Sequence, residues 1–210
     1  MTKRLLTTIL TTLLTAIGLQ AASGFTNVKL TVSGMTVTMS NGKTTIKIGS
    51  NGRASSMKWG SRELLDGSNG IYFDYTTAQG NKALSPTKLD IIKQTNEMCE
   101  VLYSATSGNT IFQQGYIMRN DIAGVYTYVI ATGTATSASE PLKEVRVCTR
   151  LASDMLNGYV DYRMNGKIPT NAEMAEAEKN QIQDATYRLS DGSVYTKLGC
   201  PVCRTKNALD

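Results

Sequence analysis

Apolar and polar side chains alternate along residues 35–75 of the 210-residue chain, and short Gly-containing breaks interrupt the alternation at regular intervals. A period of two gives each strand one buried and one solvated face. Two of the breaks are Asn41-Gly42 and Asn51-Gly52, and an Asn-Gly pair tolerates the positive φ angles of a tight hairpin. The pattern therefore predicts an antiparallel β-meander, and a sheet with one open face is a common platform for extended sugars. The apolar positions are Met35, Val37, Met39, Ile46, Ile48, Met57, Trp59, Ile71, Phe73 and Tyr75.

Further strands are predicted after the meander, separated by clusters of Gly, Asn, Asp and Ser. Short, regularly spaced strands favour a sandwich over βαβ units, so we expect an all-β fold, a large antiparallel β-sandwich. One short helical insertion is expected to begin at Thr170, where Thr170-Asn171-Ala172-Glu173 is a capping box, and to end near Gln183. The predicted strands are 88–93, 97–105, 110–119, 125–132, 144–151, 186–189 and 194–197.

The first residues have the order of a secretory signal peptide. Lys3 and Arg4 precede an apolar run over residues 5–19, and small residues follow at 21–23. The run is too short and too rich in Thr for a membrane span, which needs about 20 predominantly apolar residues. A buried N-terminal helix is the alternative. We expect residues 1–22 to be removed on export, leaving a secreted or periplasmic domain over residues 25–197 with no stable membrane association.

Charge and residue usage exclude several classes of protein. The formal charge is +5, to which Lys3 and Arg4 contribute, and the Lys/Arg block of a nucleic-acid-binding protein is absent from the sequence. The basic balance suits an acidic polymer as ligand, and a solvated surface explains it equally well. The chain has no histidine, which excludes a Ser-His-Asp or Cys-His site and a His-bearing zinc site within it. We expect no cofactor and no metal.

The predicted strand 144–151 carries the main candidate for a binding site. Alternation puts Arg146, Cys148 and Arg150 on one face, with Val145, Val147 and Thr149 on the other. Two guanidiniums on one face indicate a clamp for a carboxylate, because the guanidinium fork matches a carboxylate bidentately. Internal pairing with Glu144, Asp154 or Asp161, or plain solvent exposure, is the alternative. Lys197 ends the last predicted strand, where an isolated Lys is ordinarily a solvated charge.

Five short motifs occur in one order, and together they carry a resemblance. They are Met-Ser-Asn-Gly-Lys at 39–43, Ser-Asn-Gly-Arg at 50–53, Gly-Ser-Arg-Glu-Leu-Leu at 60–65, Glu-Val-Arg-Val-Cys-Thr-Arg-Leu at 144–151 and Ser-Val-Tyr-Thr-Lys at 193–197. Over residues 30–197 the chain resembles the N-terminal catalytic domain of rhamnogalacturonan lyases of polysaccharide lyase family four. The resemblance implies a β-sandwich related to the galactose-mutarotase fold, which a fibronectin-like domain and a jelly-roll sugar-binding domain follow in the full family.

The resemblance also implies a reaction and the residues that perform it. Such enzymes cleave the rhamnose–galacturonate backbone of pectin, an acidic polysaccharide, by β-elimination. A base removes the proton next to the uronate carboxylate, and that proton is acidic enough only when cations neutralise the carboxylate. Lys197 matches the family's base, and Arg146 matches a cleft Arg that neutralises the substrate and lowers the pKa of the Lys. Arg150 matches a second Arg with a structural role.

Beyond Lys197 the chain departs from the family pattern. Leu-Gly-Cys-Pro-Val-Cys at 198–203 stands where members continue with aromatic residues and a catalytic His. Cys200 and Cys203 have the spacing of a zinc or redox pair, and a tight disulfide or two free thiols is the alternative. We expect residues 198–210 to be an atypical tail of a truncated or frame-shifted product that is inactive, or nearly so, by itself.

Three functions are consistent with these observations. The first is a rhamnogalacturonan lyase domain, and the second is a non-catalytic carbohydrate-binding β-sandwich that keeps the groove without the chemistry. The third is a mutarotase-type epimerase, which ranks last because that chemistry relies on His residues absent from the chain.

Overall fold

The structure is a computed structural model. It describes residues 24–67, 69–78, 80–133, 142–155, 157–161, 164–167, 169–183 and 186–196. The chain divides into two compact units, with the boundary between Thr149 and Arg150. The predicted signal peptide over residues 1–22 lies outside the described residues.

Eight strands form one sheet of the first unit, termed the large sheet. The strands pair antiparallel in the order β1-β2-β3-β4-β6-β12, while β5 pairs with β4 and β7 pairs with β6. They are β1 (Lys29–Ser33), β2 (Thr36–Ser40), β3 (Thr44–Ile48), β4 (Ala54–Trp59), β5 (Arg62–Glu63), β6 (Ile71–Thr77), β7 (Gly80–Ala83) and β12 (Glu144–Thr149).

Four longer strands form the other sheet of this unit, termed the small sheet. It is antiparallel in the order β11-β10-β9-β8, with each strand joined to the next along the chain. The strands are β8 (Lys88–Gln94), β9 (Met98–Ser107), β10 (Thr110–Arg119) and β11 (Tyr126–Gly133).

The core lies between the two sheets and is built from alternate residues of both. On β6, Phe73 and Tyr75 are buried, and Tyr75 stacks on Phe112 of β10 with the ring centroids 3.9 Å apart. We call the core side of each sheet its inner face and the opposite side its outer face. The other core residues include Val37, Met39, Ile46, Ile48, Ala54, Ile71, Cys99, Val101, Tyr103, Tyr116 and Met118.

Hydrogen bonds from buried polar groups connect the turns of the meander to the small sheet. The Tyr103 hydroxyl donates to the Met35 carbonyl, and the Tyr116 hydroxyl donates to the Gly52 carbonyl, each at 2.8 Å. The Asn41 amide donates to the carbonyls of Arg119 and Ile122 at 2.8 and 2.7 Å. The first Asn-Gly pair therefore does more than turn the chain, because its Asn fastens one sheet to the other.

The described part of the second unit contains a two-stranded sheet, a three-stranded sheet and one α-helix. β13 (Asn157–Asp161) pairs with β14 (Met164–Lys167), and a three-stranded sheet has the order β15-β16-β17. Helix α1 (Asn171–Ala177) begins with the predicted capping box, in which Thr170 and Glu173 satisfy each other's backbone amides. The remaining elements are a 3-10 helix (Glu178–Asn180), β15 (Gln181–Gln183), β16 (Thr186–Arg188) and β17 (Val194–Thr196).

The structure confirms an all-β antiparallel sandwich with one short helix, and it corrects several boundaries. The helix was expected to end near Gln183, but it ends at Ala177 because Gln181 pairs with Tyr187 in a sheet that local propensity does not reveal. The strands that were not predicted are β1, β5, β7, β13, β14 and β15, and β12 ends two residues earlier than expected. In the described part of the chain, no helix is long and apolar enough to cross a membrane.

Candidate functional site

The register between β6 and β12 decides where Arg146 lies. Arg146 is directly opposite Asp74, and Val147 is opposite the core residue Phe73. Residues opposite each other in an antiparallel ladder share a face of the sheet. Arg146 and Asp74 therefore meet on the outer face of the large sheet, as do Cys148 and its partner Tyr72. The prediction that Arg146 and Cys148 lie on the face opposite to Val145 and Val147 is confirmed.

Asp74 holds the Arg146 guanidinium in a bidentate ion pair. Nε and Nη2 of Arg146 donate to the two carboxylate oxygens, both at 2.8 Å. The Asp74 side chain is 9% exposed and that of Arg146 is 39% exposed, so the carboxylate is buried beneath a guanidinium that solvent still reaches. The hydrogen bonds that Arg146 donates to Asp74 raise the pKa of Arg146 further above its usual value, which keeps this cation charged.

Glu144 is a second and weaker partner of the same guanidinium. Its carboxylate oxygen lies 3.3 Å from Nη1 of Arg146, and the Glu144 side chain is 46% exposed. The edge of the fork that carries Nη1 therefore faces a solvated carboxylate, whereas the opposite edge is saturated by Asp74. An anionic ligand that displaced Glu144 would meet an arginine whose orientation is already fixed.

Sequence reasoning anticipated Glu144 as a partner of Arg146 but missed Asp74. Asp74 is a polar position in the alternation of β6, where an acidic residue is unremarkable by itself. Only the pairing of β6 with β12, across 72 residues of chain, shows that the two side chains meet. Asp154 and Asp161, the other expected partners, belong to the second unit.

The remaining predicted site residues lie at or beyond the edge of what the structure describes. Arg150 directly follows β12 and belongs to the second unit. Lys197, the predicted base, follows the last residue of β17 and lies outside the described residues, as do Cys200 and Cys203. The structure therefore gives the position of Arg146, whereas Lys197 stays a prediction from the sequence.

The two described cysteines are free thiols in different surroundings. Cys99 is fully buried in the core, and burial raises the pKa of its thiol. Cys148 is half-buried on the outer face of the large sheet. Among the residues with described positions, no three Cys, Asp or Glu side chains are grouped so that they could hold a metal ion.

An open depression of about 430 Å³ beside the β8–β9 turn offers a different arrangement. Arg119, one of its two cations, makes two hydrogen bonds of 2.9 Å with Asp121, and both side chains are about half exposed. The lining charges balance, with Lys93 and Arg119 against Glu97 and Asp121, so this depression has no excess positive charge to attract a polyanion. The lining residues are Lys93, Thr95, Glu97, Met98, Arg119, Asn120 and Asp121.

Comparison with known proteins agrees with the resemblance carried by the motifs. Residues 16–183 match the model of the rhamnogalacturonate lyase family. A relative from Dickeya dadantii (strain 3937), described as a rhamnogalacturonate lyase, is 32% identical over 127 residues, which are 60% of this chain and 21% of that protein. The chain thus spans only a fraction of the length of that relative. Because the family match covers most of the chain, the protein belongs to the rhamnogalacturonate lyase family.

Proposed function

We propose that this chain is part of a pectin-degrading lyase that binds the acidic rhamnogalacturonan backbone and takes part in its cleavage by β-elimination. The family match over residues 16–183 is the observation that carries the proposal. The paired but solvent-accessible Arg146 supports it, because a polyuronate ligand needs an oriented cation on an exposed surface.

Arg146 is proposed to neutralise the uronate carboxylate. Asp74 fixes one edge of the guanidinium, so binding a second carboxylate on the Nη1 edge requires little further ordering of the side chain. Glu144 would have to yield that edge, and its exposure makes the displacement inexpensive. Neutralising the carboxylate acidifies the adjacent carbon-bound proton, which is what an elimination requires.

Lys197 is proposed as the base that removes this proton. A lysine can accept a proton near neutral pH only when its pKa falls well below the usual value of about 10.4. Neighbouring positive charge and burial both lower the pKa of a lysine, and an arginine at the substrate carboxylate would supply the charge. The electron pair left on carbon then expels the sugar linked at the neighbouring position and forms an unsaturated uronide.

Affinity electrophoresis tests the binding part of the proposal. We expect migration of the chain to be retarded in gels containing rhamnogalacturonan but not in gels containing a neutral glucan. Retardation should weaken with added salt, because exposed charges are screened over about 8–10 Å at physiological ionic strength. Arg146→Gln should reduce the retardation. Arg119→Gln is the control, because it removes one positive charge from the ion pair with Asp121 elsewhere on the surface, and it should leave the retardation unchanged. Equal migration in both gels would contradict the proposal.

The catalytic part is tested by the ultraviolet absorbance of the unsaturated uronide. Because the chain by itself is expected to be inactive or nearly so, the assay must detect slow product formation from rhamnogalacturonan. That product should be lost in Lys197→Ala and retained in Lys179→Ala, which changes an exposed lysine of the 3-10 helix that pairs with Glu176. Retention in the gel without any uronide would favour the alternative function, a non-catalytic carbohydrate-binding sandwich.

A further inference from the structure

The turn between β3 and β4 holds Arg53 in a fixed place. Gly52 adopts a φ of +73°, a conformation that favours glycine, and its carbonyl accepts the Tyr116 hydrogen bond from the small sheet. The backbone of Arg53 closes the same turn, because its amide donates to the Asn51 side chain and its carbonyl accepts from the Gly49 amide. Both the backbone amide and the backbone carbonyl of Arg53 are therefore hydrogen-bonded, which fixes the position of the residue just before β4.

The Arg53 side chain lies against an aromatic ring. Its guanidinium carbon is 4.6 Å from the ring centroid of Tyr72, a distance at which a cation–π interaction is favourable. Tyr72 lies between the inner-face residues Ile71 and Phe73 and opposite Cys148, so its ring belongs to the outer face of the large sheet. A guanidinium stacked on a ring keeps its N–H groups in the plane of the fork, where they can still donate.

Arg53 differs from the other arginines described above in its electrostatic partners. Arg146 makes a bidentate ion pair with Asp74, and Arg119 makes one with Asp121. Across the described part of the chain, no Asp or Glu oxygen makes a salt bridge with Arg53, and the side chain is half-buried. Its guanidinium is thus oriented by the ring, and no carboxylate of the described residues balances its charge, which leaves it able to bind an anion.

The two arginines flank the same strand. Arg146 reaches Asp74 from β12, on one side of β6. Arg53 precedes Ala54 of β4, which pairs with Ile71 on the other side of β6 from β12. The Arg53 guanidinium stacks on Tyr72, two residues from Asp74. On the outer face, β6 thus lies between an arginine that is saturated along one edge and an arginine that has no ionic partner among the residues the structure describes.

We propose that Arg53, held by Tyr72, is a carboxylate-binding residue of this face and that it receives a uronate of the polysaccharide. The inference rests on the proposed function for the identity of the ligand, and it assigns a residue that neither the predicted clamp nor the predicted base includes. The fork would bind the carboxylate edge-on, and the flat Tyr72 ring would keep the fork from rotating away.

An NMR titration with sodium galacturonate at constant ionic strength tests the inference directly. We expect the Arg53 side-chain signal, identified by its loss in Arg53→Lys, and the Tyr72 ring signals to shift in a saturable manner. The methyl ester of galacturonate, which lacks the charge, should leave them unmoved. Arg53→Gln should weaken galacturonate binding by about tenfold or more, as expected for losing a charged hydrogen-bonding pair. Lys47→Gln, which removes an exposed cation from the same face, should leave binding within about twofold.

The outcomes separate this inference from the proposed function. Galacturonate that moves neither the Arg53 nor the Tyr72 signals of the unaltered chain, or equal binding by Arg53→Gln, would overturn the inference even if the chain is retained by rhamnogalacturonan. Saturable shifts at Arg53 in a chain that neither binds nor cleaves the polymer would support Arg53 as a carboxylate-binding residue and contradict the proposed function that names the polysaccharide as its ligand.

Discussion

Glu63 shows how much one carboxylate can organise within a short stretch of chain. It accepts hydrogen bonds from the Ser56 hydroxyl at 2.5 Å and from the backbone amides of Met57, Leu64 and Leu65 at 2.8–3.1 Å. Partial burial by itself raises the pKa of Glu63, but the four hydrogen bonds outweigh it and the net pKa lies below the usual value. The charged carboxylate therefore closes the β4–β5 hairpin and the loop that follows it.

Replacing this carboxylate should reduce stability in a pH-dependent way. Because the pKa of Glu63 is lower in the folded state, its contribution is present above the unfolded pKa and is lost as the pH falls through the folded value. We expect Glu63→Gln to lower the free energy of unfolding by roughly 1–2 kcal/mol at neutral pH, the scale of hydrogen bonds to a charged group. Urea unfolding at neutral and acid pH measures the difference, which should shrink below pH 4.5. Glu97→Gln, at an exposed turn position, is the control; a difference independent of pH would contradict the prediction.

The ion pair of Arg146 and Asp74 is expected to be strongly coupled. Arg146→Ala leaves the nearly buried Asp74 carboxylate without its counter-charge, so we expect a loss of roughly 2–3 kcal/mol in the free energy of unfolding. Removing both partners in the Asp74→Ala, Arg146→Ala double variant should lose less than the sum of the single changes. Chemical denaturation of the four proteins gives this coupling energy directly. If the losses in the free energy of unfolding were strictly additive, the ion pair between Arg146 and Asp74 would contribute nothing to stability.

At the scale of elements, the meander depends on bonds to strands that are distant in sequence. The Tyr116 hydroxyl also lies 3.5 Å from the Ile71 carbonyl, so one side chain of β10 contacts the start of β6 and the turn before β4. Burial raises the pKa of this phenol above its usual value. Position 116 thus joins the small sheet to the part of the large sheet that carries Arg53 and Tyr72.

Tyr116→Phe should loosen this junction. The change leaves the Gly52 carbonyl without its partner in a buried place, which costs about 1–3 kcal/mol. We expect that loss in thermal or urea unfolding, together with faster hydrogen exchange in the β3–β4 turn. Because the pKa of Tyr116 is raised on folding, its contribution persists to about pH 10 and is lost as the pH rises towards the folded value. Tyr103→Phe releases Met35 instead and should leave exchange in the β3–β4 turn unchanged; equal effects on that turn would count against a local role.

At the scale of the whole molecule, processing is the property most open to a direct test. We propose that residues 1–22 are removed during export, on the basis of the basic, apolar and small-residue order of the N-terminus. Intact-mass measurement of protein from its native host should give a species that begins near Ala22 or Ser23, outside the cytoplasm. Replacing Lys3 and Arg4 by Gln should slow processing. Soluble cytoplasmic protein that retains Met1 would refute the proposal.

Local sequence was sufficient where structure depends on neighbours along the chain. The strand 110–119 was predicted at both ends, and the hairpins at Asn41-Gly42 and Asn51-Gly52 occur where the turn chemistry indicated. The helix start at Thr170 follows from its capping box, since that motif is complete within four residues. The polar and apolar faces of β12 also followed from alternation, although not the partner of Arg146.

The sequence by itself determined the all-β class, the two-fold periodicity of the strands and, through its ordered motifs, the family. Tertiary structure alone decided that Asp74 pairs with Arg146 and that Arg53 stacks on Tyr72. It also decided that the Tyr128 ring passes over Gly115, so that its hydroxyl donates to Glu100 at 2.6 Å. The physical reason is that period and turn chemistry act over a few residues, whereas these contacts join strands whose pairing is selected by burial of the whole core. A side chain's charge is readable from sequence, but its partner depends on which strands become neighbours.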